Sequence, residues 1–105
     1  MSVPFFWMLH EIPYDEFRYT PFSLERLLRG AGFQQIEVRA LNGWNAALVQ
    51  MYANWAHYGD ELPRLRFWSL RLLMPVLRLL LARDQIPQSF KVGQMTTGFF
   101  CVATK

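Results

Sequence analysis

The sequence predicts an α/β domain with an open, mostly parallel sheet of about three strands and three to four helices. Apolar runs typical of strands lie near both ends of the chain, at residues 3–9 and 97–104. A third run, at residues 33–41, alternates apolar and charged side chains. Helical patterns fill the intervals between these runs, so strands and helices alternate along the chain.

The first strand is expected at Val3 to Leu9, with Pro4 at a strand end or on a sheet edge because proline cannot donate to a ladder. Residues 10–20 have no clean period and predict an ordered loop. Thr20 is expected to cap a helix that opens on Pro21, and Gly32 suits the left-handed position that ends it. The buried stripe of this helix is expected at Leu24, Leu27, Leu28 and Ala31, and its wet face at Glu25, Arg26 and Arg29.

The two remaining strands differ in pattern. Residues 33–41 carry Glu37 and Arg39 on one face, which suits a sheet edge. Residues 97–104 are almost continuously apolar, which predicts a strand covered on both faces. The last strand is therefore expected to insert beside the first one.

A helical insertion is expected over residues 44–95. Its first helix, 44–58, places Ala47, Leu48, Met51 and Trp55 on one side and ends at Gly59. Its second helix opens at Pro63 and runs to about Arg83, and Pro75 is expected to kink or divide it. Residues 84–95 are polar and predict a connector.

Composition limits the function classes. The 105 residues make one domain or less. A net charge of +3 without a lysine-rich run gives little support for nucleic-acid binding. Cys101 is the single cysteine, so no intramolecular disulfide forms; we expect a buried thiol and a reducing compartment such as the cytoplasm. His57 lacks partners at metal-ligand spacing, and no signal peptide or membrane span is predicted.

One segment resembles a known family. Val3-Pro4, an aromatic stretch, the loop residues and the pattern Leu-x-x-Leu-x-x-x-Ala-Gly-Phe are similar to the fifth-strand exit and following helix of class I S-adenosylmethionine-dependent methyltransferases, type 11-like. The matching loop residues are His10, Glu11, Pro13, Asp15, Arg18, Tyr19 and Thr20. The closing "GFFCVATK" resembles the family's last strand. The similarity covers both ends of the chain well and residues 44–95 poorly.

The resemblance implies a partial Rossmann-like sheet in which the last strand is antiparallel and lies between the other two. Residues 1–105 would then form the C-terminal, substrate-side part of a methyltransferase domain whose acceptor is a small or lipid-linked molecule. The family holds its cofactor with a glycine-rich turn and an acidic residue, and this chain has no such glycine cluster. We therefore expect the cofactor-binding half to lie outside residues 1–105, and no S-adenosylmethionine binding or activity by the chain alone.

The resemblance also places candidate site residues at the ligand side of the sheet. His10 could act as a general base for the acceptor, or it could brace the loop. Tyr14, Arg18 and Tyr19 could contact the substrate. Asp15 and Arg18 could instead pair with each other and make the loop rigid.

A second class of function stays open: a non-catalytic interaction or membrane-surface module. Arg64, Arg71 and Arg78 recur every seven residues on a very apolar helix, a pattern seen at membrane surfaces. A packing helix with snorkelling arginines would look the same. Two further partners are expected: a complementary methyltransferase half, or a second copy paired through the open edge of strand 3–9.

Overall fold

The computed structural model of the protein describes residues 1–9 and 12–105. It contains three strands and three helices in the order β1 (Ser2–Pro4), α1 (Pro21–Gly30), β2 (Gln35–Ala40), α2 (Trp44–Tyr58), α3 (Pro63–Ala82) and β3 (Gly98–Thr104). The predicted α/β class is confirmed. The prediction for His10 lies outside the described residues.

The sheet has the strand order β1-β3-β2, and both hydrogen-bonded pairs are antiparallel. The prediction of a mostly parallel sheet is wrong in this respect: β1 and β2 run in the same direction but never pair, because β3 separates them. The expected insertion of the last strand beside the first one is confirmed. Val3 lies opposite Phe99, and Val38 lies opposite Cys101.

β1 is shorter than the predicted strand 3–9. After Pro4 the amides of Phe5 and Phe6 both donate to the Thr97 carbonyl, at 3.0 and 3.1 Å, so the chain bends away from the ladder. Proline supplies no amide of its own to extend the pairing. The aromatic run therefore leaves the sheet and enters the loop.

The ends of α1 match their predictions. The Thr20 hydroxyl accepts from the Ser23 amide at 3.2 Å, and the Ser23 hydroxyl accepts from the Thr20 amide at 3.0 Å, which forms a capping box. Gly32 has a φ of +91°, and the helix ends there. The apolar stripe is narrower than predicted: Leu24 is buried, but Leu27 and Ala31 are exposed, because α1 packs mainly against β2.

β3 is covered on one face, not two as predicted. Phe99 and Cys101 are buried on one face, where Phe99 contacts Phe90 of the connector, and the expected burial of Cys101 is confirmed. Phe100 and Val102 point to the opposite face, which is open to solvent in the part of the chain that the structure describes. On β2 the same face carries Arg39 and Glu37 opposite them.

α2 and α3 form an antiparallel hairpin. The Tyr52 hydroxyl lies 2.5 Å from that of Ser69, and the buried Arg66 guanidinium donates to the carbonyls of Trp55 and Ala56 at the end of α2. α3 runs through Pro75 as one helix, so Pro75 does not divide it, and the alternative of a kink stays a prediction. Of the stripe predicted on α2, Ala47 is buried as expected, but Leu48, Met51 and Trp55 are exposed, because α2 also buries the side that carries Val49.

Two polar clusters join the hairpin to the sheet. The Asn42 side chain accepts from the Thr97 amide at 2.9 Å and donates to the Thr97 hydroxyl at 2.7 Å. Asp84 follows the end of α3. Its carboxylate accepts from the amides of Gly43 at 2.8 Å and Ala46 at 3.0 Å, and so caps the start of α2.

The fold exposes more surface than its mass requires. The accessible area is 8145 Å², whereas a compact monomer of 12.4 kDa exposes about 6,100 Å². The radius of gyration is 16.4 Å, compared with about 13 Å for a compact domain of this length. The surplus is comparable to the area that a protein–protein interface covers.

We predict that dilute protein self-associates. In the part of the chain that the structure describes, β1 pairs with a strand on one side only, β3, so its other edge is open to a second strand. Light scattering in the absence and presence of mild detergent measures the effect. A monomer that is the same in both conditions would contradict the prediction.

We also predict that Gly43→Ala destabilises the fold by about 1–3 kcal/mol, because an added methyl would overpack the joint between α2 and the connector. A Cβ at this position would lie 2.0 Å from the Gln85 carbonyl oxygen. Gly30→Ala is the matched control: nothing lies within 4 Å of its Cβ, and its φ is negative. Urea unfolding measures both variants, and equal stabilities would refute the proposed contact.

Candidate functional site

The loop between β1 and α1 is held together by Arg18. Its guanidinium makes a bidentate ion pair with the Asp15 carboxylate, with 2.7 Å between Nη2 and Oδ2. The same Nη2 donates to the Met8 carbonyl at 3.3 Å, and Nη1 donates to the Phe17 carbonyl at 3.2 Å. Arg18 thus ties the start of the loop to its end.

The electrostatics of this pair favour its charged form. The hydrogen bond to Asp15 raises the pKa of Arg18. The Asp15 side chain is nearly buried, whereas that of Arg18 is partly exposed. The expected pairing of Asp15 with Arg18 is therefore present in the structure, and its effect on loop rigidity stays a prediction. Contact between Arg18 and a substrate stays a prediction.

The two tyrosines of the loop differ in exposure. Tyr14 is 83% exposed, whereas Tyr19 is half-buried and stacks on Phe17 with ring centroids 6.1 Å apart. Their substrate-binding role remains a prediction.

A phenylalanine-lined pocket of 170 Å³ opens where the loop enters α1. Phe90 contacts Phe22 at 6.4 Å and Phe99 at 5.5 Å between ring centroids, and Phe99 contacts Phe5 at 5.5 Å. The apolar wall is completed by Pro21, Pro87 and Met95, and the polar lining residues are Thr20, Lys91, Gln94 and Thr96. The phenylalanine pocket therefore combines an aromatic interior with one cation.

The polar wall of the pocket is already hydrogen-bonded. Thr96 is 4% exposed, and its hydroxyl donates to the Gly98 carbonyl at 2.9 Å. The Thr20 hydroxyl is engaged in the helix cap. These groups shape the pocket and have no evident role in moving a proton.

Two larger clefts offer less chemistry. One, of 460 Å³, lies beside the start of α2, but both Asp84 oxygens there cap that helix. The other, of 690 Å³, runs along β2, where Glu37 and Arg39 pair with each other. Arg83 also lines the first cleft.

Sequence patterns alone did not identify the pocket. Phe22 precedes the apolar stripe of α1, and Phe90 and Met95 lie in a segment that was interpreted only as a connector. Their meeting depends on β3 lying beside β1, a long-range contact that local periodicity does not encode. The sequence feature that could have indicated the pocket was the Pro87–Phe90 stretch within the polar segment 84–95.

Metal binding, membrane crossing and similarity to known proteins also bear on the function of this site. Among residues 1–9 and 12–105, no group of three histidine, cysteine or acidic side chains could hold a metal ion. No helix within the described ranges is long and apolar enough to cross a membrane. No protein-family model, curated protein or solved structure matches this chain.

We predict that Arg18→Ala loosens the loop, because the mutation removes its contacts with Met8, Asp15 and Phe17. Amide hydrogen exchange in residues 12–19 should become faster, with little change in α3. Arg29→Ala is the matched control, because it breaks an exposed ion pair with Glu25 on α1. Unchanged loop exchange in Arg18→Ala would show that the loop is held by other contacts.

Proposed function

We propose that this chain forms the acceptor-side part of a class I S-adenosylmethionine-dependent methyltransferase with a Rossmann-like sheet. The observation that carries the proposal is the strand order: an antiparallel last strand, β3, lies between β1 and β2. The resemblance of residues 3–33 and 98–105 implies this arrangement. A meander of three consecutive strands would instead place β2 in the middle.

The site geometry supports an acceptor-binding role. The loop and the phenylalanine pocket both follow the carboxyl end of β1, which is where open α/β sheets bind their ligands. The pocket volume of 170 Å³ is close to that of a cavity of about 150 Å³ that binds benzene. A single ring or a short branched hydrocarbon unit of an acceptor fits this space.

Lys91 adds a preference for charge. It lines the pocket beside the phenylalanines, and no acidic residue shares that lining. An acceptor with an apolar ring and an anionic substituent would satisfy both features. This combination favours an aromatic acid or a lipid-linked molecule with a phosphate.

The residues of this chain do not fit S-adenosylmethionine. One strand–glycine–helix turn occurs among the described residues, Ala40 to Trp44, and its Gly43 amide already donates to the Asp84 carboxylate, which also accepts from Ala46 in the first turn of α2. The Gln85 backbone lies where a Cβ of residue 43 would be, so a ligand cannot approach the glycine from that side. In the proposed enzyme, another segment or chain supplies the cofactor site.

We predict that residues 1–105 alone show no micromolar binding of S-adenosylmethionine in calorimetry, which would correspond to about −8 kcal/mol. Joined to a cofactor-binding half encoded beside it, the same chain should form a complex that binds the cofactor and transfers its methyl group. Binding by residues 1–105 alone, or no binding by the complex, would overturn the proposal.

The same complex tests the role of His10. A general base contributes typically 10²- to 10⁴-fold in rate, so His10→Ala should lower kcat by about that factor and leave cofactor affinity unchanged. His57→Ala, in α2, is the matched control. Turnover close to that of the unsubstituted complex would remove His10 from the chemistry and leave the acceptor-side assignment intact.

A further inference from the structure

We propose that α3 lies on an anionic lipid bilayer. This inference does not depend on the methyltransferase assignment. The helix keeps an exposed apolar stripe at the spacing of one helical face, formed by Leu65, Trp68, Leu72, Val76 and Leu79. Leu72 is 79% exposed and Trp68 is 63% exposed.

A line of arginines follows this stripe along the helix. Arg64, Arg71 and Arg78 each precede a stripe leucine by one position, so they lie about 100° around the helix from it. All three are exposed, and Trp68 lies between the two lines. Long arginine side chains beside an apolar face reach the headgroup level while the face enters the acyl boundary.

A different side of α3 packs against α2. The buried Arg66 and Leu77 each follow a stripe residue by one position, so they lie about 100° from the stripe on the side away from the arginines. Arg66 donates there to the carbonyls of Trp55 and Ala56 at the end of α2. Packing against α2 therefore explains one face of the helix and leaves the stripe uncovered. The helix is too polar to cross a bilayer, so it would lie in the interface plane.

Charge complementarity selects lipid over a second copy of this chain. Neither α2 nor α3 contains an aspartate or glutamate, and the acids of the hairpin, Asp60 and Glu61, lie only at its turn, so the helices of a docked copy would place no acidic residue along the line of arginines. Anionic headgroups supply the missing charge along the whole helix. Each basic residue near such a surface strengthens binding by about five-fold.

The test uses vesicles of phosphatidylcholine with and without about one-third phosphatidylserine, a composition chosen to give a strong negative surface potential. Flotation should show binding of the 105-residue chain to the anionic vesicles and weaker binding to the neutral ones. The triple variant Arg64→Gln, Arg71→Gln, Arg78→Gln should bind anionic vesicles about 100-fold more weakly. Trp68 emission should shift to shorter wavelength on binding, and Trp68→Phe should remove that part of the shift.

The matched control is Arg26→Gln, Arg29→Gln, Arg39→Gln, which removes the same charge from exposed positions of α1 and β2. It should retain anionic-vesicle binding within a few-fold of the unsubstituted chain. Equal losses in both triple variants would overturn the proposal in favour of net charge alone. Absence of binding, or stronger binding to a single-stranded RNA homopolymer, would also overturn the proposal. The same holds if the stripe variant Leu72→Asp abolishes self-association without affecting vesicle binding.

Discussion

The whole arrangement depends on β3 pairing with both other strands. Its register brings Phe99 opposite Val3 on one side and opposite Ala40 on the other. β3 thereby joins β1, which lies about 95 residues earlier in the chain, to β2, which follows the first helix. The chain between β2 and β3 must therefore leave the sheet and return to a position beside β2. Two hydrogen-bonded contacts hold the ends of this segment in place. Asn42 binds Thr97, and Asp84 binds the start of α2. The phenylalanine pocket exists because the returning connector places Phe90 between α1 and β3.

Local chemistry made the element ends predictable from sequence. Thr20, Pro21 and Gly32 act within one helical turn of themselves, and the structure places all three as their stereochemistry requires. The position of β3 was also predictable, since it followed from comparing a charged strand with an apolar one. The apolar pattern alone indicated a mostly parallel sheet, because a continuously apolar strand is typical of one, whereas the antiparallel direction of β3 followed only from the family resemblance.

Burial was harder to predict than secondary structure, for a physical reason. Periodicity reveals which side of an element is apolar, but it does not reveal whether another element covers that side. The stripe of α2 is apolar as predicted, yet Met51 and Trp55 are exposed. The same holds for Phe100 and Val102 on β3. The candidate site shows a related limit: the Arg18–Asp15 pair is close in sequence and was foreseen, whereas the pocket joins four distant phenylalanines.

The uncovered surfaces differ in charge, and this difference bears on what could cover each of them. The open face of the sheet carries Glu37 and Arg39 as a mutual pair beside Phe100 and Val102. Such a surface is apolar with its charges balanced, as in a layer that packs beneath protein helices. The stripe of α3 instead lies beside three arginines, and no acidic side chain occurs in either helix of the hairpin. A protein surface would have to supply a matching row of acids, whereas an anionic bilayer supplies negative charge at every position along the helix. The surplus area of this small fold thus divides into a sheet face suited to protein and a helix face suited to lipid.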